Sequence, residues 1–346
     1  MRRRLARVAS LVMIAGGSAA CGSDSALEPE LATNAVPLTQ LVNGSYLGFP
    51  GGLYPDGNNP PAAHSTRGLA DAAAIVPRDA NGTPAPAGKY VLLSIGMSNT
   101  TQEFCGQGGG GTCAAWTFAG QAVADPVVNH TTLVIANGAA GGRSASFWDS
   151  PGDPDYDRVR DQVLAPMGVT EAQVQVAWVK VANPGPTVSL PATGADAYVL
   201  LRQMGDIARA TRQRYPNIRQ IFFSSRTFGG YATTVLNPEP YAYESGFAAK
   251  WVIEAQIRQG NGSGPDVVAG DLSYGSAPWL AWGPYLWGGP SNTPLGDITW
   301  VRADFGNDGT HPSASGAQKV GAALLAFFKS STFTQCWFLA GRSCQP

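Results

Sequence analysis

Five short apolar runs punctuate the central part of the chain: Tyr90–Ile95, Thr132–Ala136, Val174–Val179, Gln220–Phe223 and the stretch around Val267–Ala269. Each has strand length, and none alternates cleanly between apolar and polar positions. Between them the pattern changes to a helical repeat. Helices are expected from Cys113 to about Val123, over Asp155–Met167, over Ala195–Arg214, over Tyr241–Gln259 and over Ser313–Lys329. In the third of these, Leu200, Leu201, Met204, Ile207 and Ala208 make one apolar face; in the last, Val320, Ala323, Leu324, Phe327 and Phe328 do so. Continuously apolar strands interleaved with amphipathic helices predict an α/β fold, a parallel sheet covered on both faces. In such sheets ligands sit beyond the carboxyl ends of the strands.

The N-terminal part reads differently. Arg2, Arg3, Arg4 and Arg7 precede a short apolar stretch, Val8–Ala15, and then Gly16-Gly17-Ser18-Ala19-Ala20 ahead of Cys21. This is the layout of an export signal over residues 1–20. The cysteine directly after the small residues is similar to a bacterial lipobox, in which that cysteine carries lipid, although Ser18 stands where Leu is usual. Residues 21–37 then read as a flexible tether. Export to the cell envelope as a lipoprotein, or plain secretion, is expected; the lipid on Cys21 is the one membrane attachment foreseen. Residues 38–346 read as a single domain, opening with an ordered loop layer over about 38–87, rich in Gly, Pro and Asn, with a short helix near Ala70.

Charge and cysteines refine this picture. The chain of 346 residues carries 23 basic and 24 acidic side chains. Loss of the four leader arginines leaves 19 against 24, and no basic run follows, so no nucleic-acid partner is expected. Four cysteines remain after Cys21, which permits three pairings. The favoured one is local, Cys105–Cys113 with Cys336–Cys344, because each pair lies within one Gly-rich or terminal loop. Zinc is disfavoured, since no Cys-x-x-Cys and no clustered histidines accompany them.

Two segments carry a recognisable chemistry. The first apolar run leads into Gly96-Met97-Ser98-Asn99, which puts Ser98 just past a strand end, as either a nucleophile or a turn serine. Far along the chain, Asp308-Gly309-Thr310-His311-Pro312 places a carboxylate three residues before an imidazole at a turn opening a helix. Ser98, His311 and Asp308 are the minimum set for acyl transfer to water: nucleophile, base and the group that orients the base. The other histidines, His64 and His130, lack such a setting.

The order Ser98 then Asp308-x-x-His311 resembles the SGNH (GDSL-like) hydrolase superfamily, over about residues 88–329, and looks like a secreted bacterial branch of it with Gly96-Met97-Ser98-Asn99 in place of Gly-Asp-Ser-Leu. The resemblance implies a three-layer α/β/α sandwich with a flavodoxin-like sheet of about five strands, and a serine esterase or deacetylase that needs no metal or cofactor. Asn137-Gly138-Ala139-Ala140-Gly141-Gly142-Arg143-Ser144-Ala145 is similar to the family's second block as it appears in acetylesterases of plant polysaccharides. On that match Gly142 supplies an oxyanion N–H, with Gly141 as the neighbouring possibility. The third block departs from the family: where an oxyanion Asn is usual, this chain offers Lys180 first and, with a longer loop, Asn183 second.

Other residues are candidates for substrate contact. Arg226 follows the fourth apolar run and either clamps a carboxylate or sugar acid or pairs structurally with Glu244 or Asp308. The aromatic run Trp279, Trp282, Tyr285, Trp287 and Trp300 is either a glycan platform, with Trp282 and Trp287 foremost, or core; Tyr54 is a weaker candidate. The expected activity is hydrolysis of small-molecule or glycan acyl esters, acetyl above all, and the alternative is an inactive glycan-binding protein on the same scaffold.

Overall fold

The structure is a computed structural model that describes residues 35–106, 112–290 and 296–344. The expected export signal, most of the tether and Cys21 lie outside the described residues. Five parallel strands form the central sheet: β1 (Tyr90–Gly96), β2 (Leu133–Asn137), β3 (Val174–Lys180), β4 (Gln220–Phe223) and β5 (Trp279–Trp282). Their spatial order is β2-β1-β3-β4-β5, the flavodoxin-like arrangement, whose switch point lies between β1 and β3. Every residue of β1, β3, β4 and β5 is buried, which is why these runs read as continuous rather than alternating.

Helices cover the sheet in two groups. Asp196–Arg214 packs along Tyr241–Gly260. Ala314–Ser330 packs on Ser98–Phe104 and Phe118–Ala124, and Ala62–Ala73 lies against β4 and β5. The helical repeat predicted three of these, Asp196–Arg214, Tyr241–Gly260 and Ala314–Ser330, to within a residue at each end. The expected helix from Cys113 is shorter, because Thr117 caps it by accepting from Gly120 N–H, and the residues before it run in a loop. The stretch from Pro154 is helical through a wide turn over Arg160–Leu164, and Gly168, at φ +70°, ends it.

The last strand is a correction. Residues 267–269 form no strand: Val267 is 99% exposed, and the Asp266 carboxylate accepts from Val268 and Ala269 N–H, closing a turn back to Gly270. An Asp and a Gly flanking three apolar residues are turn chemistry. The sheet takes its fifth strand from Trp-Leu-Ala-Trp, 279–282, within the aromatic run. Both local disulfides, Cys105–Cys113 and Cys336–Cys344, are formed. Among the described residues no helix is long and apolar enough to cross a membrane.

The N-terminal loop layer is bolted down by buried polar groups. The Lys250 ammonium donates to the Gly51 and Tyr54 carbonyls, Trp282 Nε1 donates to Leu53 O, and Tyr243 Oη donates to Val36 O. Glu244 is 1% exposed and accepts from Tyr46 Oη and from Leu190 N–H. Burial pushes its carboxyl up from 4.5 to about 7, outweighing those hydrogen bonds. The unfolded chain ionises Glu244 at the lower value, so between the two the folded state holds the extra proton. This group therefore costs stability as the pH climbs to about 7 and little more beyond. Glu244→Gln should be more stable than the parent at pH 8 by on the order of 1–3 kcal/mol, and equal to it at pH 4. Urea unfolding at both pH values measures this; a difference that does not change with pH would contradict it.

Candidate active site

The sheet edge beyond β1 and β3 is built around a turn that only glycine permits. Gly96 sits at φ +154°, and a Cβ there would lie 2.3 Å from Lys180 O. The chain can therefore break from β1 and begin the helix Ser98–Phe104 two residues later. Ser98 opens that helix, so its backbone N–H has no partner within it. The Asn99 amide donates to Thr310 O at 2.7 Å and joins this segment to the turn carrying the histidine.

That turn is equally constrained. Asp308 Oδ1 accepts from the N–H groups of Thr310 and His311, both at 3.0 Å, and Oδ2 meets His311 Nδ1 at 2.5 Å. Gly309, at φ +67°, passes so close to Tyr231 O that a Cβ would overlap it. The other ring nitrogen, His311 Nε2, lies 2.7 Å from Ser98 Oγ. Partial burial pushes the Asp308 carboxyl up, but the His311 contact and the two N–H bonds outweigh it and leave the carboxyl below its usual range. An ionised Asp308 fixes the proton of neutral His311 on Nδ1 and leaves Nε2 free to accept from the serine. Three side chains from segments 213 residues apart thus form one hydrogen-bonded chain, Ser98–His311–Asp308.

Ser98 and His311 open into a cleft of about 80 Å³, lined also by Gly142, Asn183, Arg226 and Asn237. Gly142 is left-handed, at φ +76°. Its loop is held by Arg158, which donates to Gly138 O and pairs with Asp155, itself paired with Arg143. The Asn183 amide donates to Gln203 Oε1 at 2.6 Å. That bond uses one of the two amide hydrogens.

Lys180 is a correction. It is fully buried, does not line the cleft, and its ammonium bonds both Glu103 carboxylate oxygens, at 2.5 and 2.6 Å. Burial pulls the ammonium below its usual value, with Glu103 opposing. A cation so engaged is unavailable to an oxyanion; Asn183, the second candidate, does line the cleft. The aromatic platform is also corrected. Trp282 and Trp287 are 3% and 1% exposed; their indole N–H groups donate to Leu53 O and to Glu239, and neither lines the cleft. Tyr54 is core as well, its hydroxyl accepting from Trp282 N–H. Arg226 does line the cleft and forms no ion pair with Glu244 or Asp308.

Sequence reasoning passed over Asn99 and Asn237. Asn99 lay within the quoted Gly96–Asn99 block, but nothing local says that its amide reaches Thr310. Asn237 is left-handed, at φ +65°, and buried at the cleft wall; the dipeptide Asn237-Pro238 was the available turn signal. Among the described residues no group of three or more His, Cys, Asp or Glu is arranged to hold a metal ion.

No family model matches the chain, and no curated protein does. Among solved structures it aligns with a carbohydrate esterase family 2 enzyme plus carbohydrate binding domain from Corynascus thermopiles (Myceliophthora fergusii), at 14% identity and a TM-score of 0.39, over 70% of this chain and 66% of that one. It also aligns with an extracellular lipase from Streptomyces rimosus, at 14% identity and a TM-score of 0.32, over 68% and 98% of the two chains. A salicylyl-acyltransferase from a tetracycline biosynthetic pathway aligns at 14% identity and a TM-score of 0.35, over 70% and 54%. The chain spans just under two thirds of the first of these. At such scores the neighbours assign nothing to this protein.

Proposed function

We propose that this protein is a serine ester hydrolase of the SGNH (GDSL-like) type that removes short acyl groups, acetyl above all, from a carbohydrate or similar small alcohol. The observation that carries the reading is the unbroken hydrogen-bonded chain Ser98–His311–Asp308 opening into a cleft. Ser98 Oγ attacks the acyl carbon while His311 Nε2 takes its proton. The carbonyl oxygen, now an oxyanion, is met by the N–H groups of Ser98 and Gly142 and by the Asn183 amide. His311 then protonates the departing alcohol, leaving an acyl-serine. Water, deprotonated by the same imidazole, releases the acid and restores Ser98.

The size of the cleft favours a short acyl chain. At about 80 Å³ it holds several waters' worth of space, one water needing about 10–15 Å³, which is room for an acetyl group. The carbohydrate part of the reading rests on the likeness of Asn137–Ala145 to polysaccharide acetylesterases. Two disulfides favour an oxidising compartment outside the cytoplasm. With the leader and Cys21, they support an exported protein tethered by lipid. A binding protein on this scaffold is less favoured, because the aromatic run that would hold a glycan is core.

Purified protein should hydrolyse p-nitrophenyl acetate, and Ser98→Ala should reduce kcat/KM by about 10³–10⁶-fold. A fluorophosphonate probe should label Ser98 and fail on that variant; activity surviving in Ser98→Ala would falsify the assignment. Asp308→Asn should keep the fold and lower kcat by about 10²–10⁴-fold, because the neutral amide no longer holds His311 in the right tautomer. Melting temperature and initial rates for this variant separate loss of chemistry from loss of structure.

A further inference from the structure

Arg226 is 3% exposed, yet its Nε and Nη1 hydrogens meet no acceptor in the protein. A buried guanidinium is costly unless it is paired, and one left with unused donors signals a missing partner. The nearby carboxylates are all committed elsewhere. Glu103 is held by Lys180, Asp308 by His311, and Glu239 by Gly229 N–H, Tyr243 N–H and Trp287 Nε1. They lie close enough to steady the charge of Arg226 but do not bond it. Asn237 lines the same cleft, and its amide oxygen is also buried and without a partner, on a residue held at φ +65°. Strained backbone at a ligand site is a recurrent arrangement.

The two unpartnered groups are complementary to one kind of ligand. Arg226 offers forked donors that match a carboxylate. Asn237 offers an amide that can bond a hydroxyl. We propose that Arg226 and Asn237 form a receptor for a carboxylate flanked by a hydroxyl, and that the esters cleaved at Ser98 are those of a sugar acid or a related hydroxy acid. This rests on the hydrolase reading for the bond that is cleaved, but not for the binding. The carboxylate belongs either to the alcohol half of the ester, as in an O-acetylated uronic acid, or to the acyl half, as in a hemisuccinate.

Two matched substrate pairs distinguish these sources: O-acetyl glucuronic acid against its neutral uronamide, and 4-nitrophenyl hemisuccinate against 4-nitrophenyl butyrate. In the parent protein one anionic ester should exceed its neutral partner in kcat/KM by about 10–100-fold. Arg226→Gln should bring that ratio to about one, and Arg226→Lys should leave it intermediate. Arg226→Gln should melt at or above the parent temperature, because an unpaired buried charge has been removed. A lower melting temperature, with both members of each pair slowed equally, would make Arg226 a structural residue and overturn the proposal.

Binding is read separately in Ser98→Ala protein. Glucuronate or succinate should raise its melting temperature, glucose should not, and adding Arg226→Gln should remove the effect. Arg226-dependent binding without any ester hydrolysis would leave this inference standing and sink the hydrolase reading. Hydrolysis with no preference for either anionic ester, and no stabilisation by either acid, would do the reverse.

Discussion

The site depends on one short helix being held where its own sequence would not keep it. Ser98–Phe104 is seven residues long and rich in Ser, Asn and Thr, which on local grounds is a marginal helix at best. Neighbours supply the missing order. Thr100 Oγ1 donates to Lys180 O at the end of β3, and Glu103 receives the Lys180 ammonium from the same residue. Asn99 reaches the turn that carries His311. Lys180 thus holds the helix with both its backbone carbonyl and its side chain, while Asn99 sets its distance from the imidazole. The alignment of Ser98 Oγ with His311 Nε2 is the sum of these three attachments.

This accounts for why a buried ion pair sits under a cleft that does not use it. Burying Lys180 and Glu103 together carries a desolvation cost that their attraction only partly offsets. An apolar pair of similar volume could fill the same space. It could not fix the rotation of a two-turn helix as two charge-assisted hydrogen bonds do. A nucleophile must be placed to within a fraction of an ångström of its base, so positional control is what the pair contributes to the site.

Much of this architecture was legible in the chain. Four of five strands and the three longest helices follow from apolar runs and helical repeats: β1, β3 and β4 are buried throughout, and Asp196–Arg214 and Ala314–Ser330 each bury one face. Ser98, Asp308 and His311 were also readable, since their local settings are short-range: a strand end with Gly96, and a turn with Gly309. What escaped detection was decided by partners distant in sequence. Lys180 looked free because Glu103, 77 residues earlier, gives no local sign of facing it. Trp282 and Trp287 resembled a platform because indole rings have the same composition in a core as in a glycan site; only their burial against the loop layer and Glu239 separates the two. The fifth strand was misplaced because Trp279–Trp282 carries bulky rings where Val267–Ala269 offered a plainer β pattern, and Asp266 closes the latter into a turn.

Electrostatics then divides the polar groups of this region by the work each can do. Glu103, Lys180, Glu239 and Asp308 are each bonded by fixed groups of the fold. Such groups hold shape. Arg226 and Asn237 are the contrast: buried in the same wall, yet with polar atoms unsatisfied. Of the eight buried side-chain atoms without a partner among the described residues, three belong to these two residues of the cleft. A carboxylate that reached Arg226 would satisfy these donors and would leave the hydrogen bonds of Ser98, His311 and Asp308 in place.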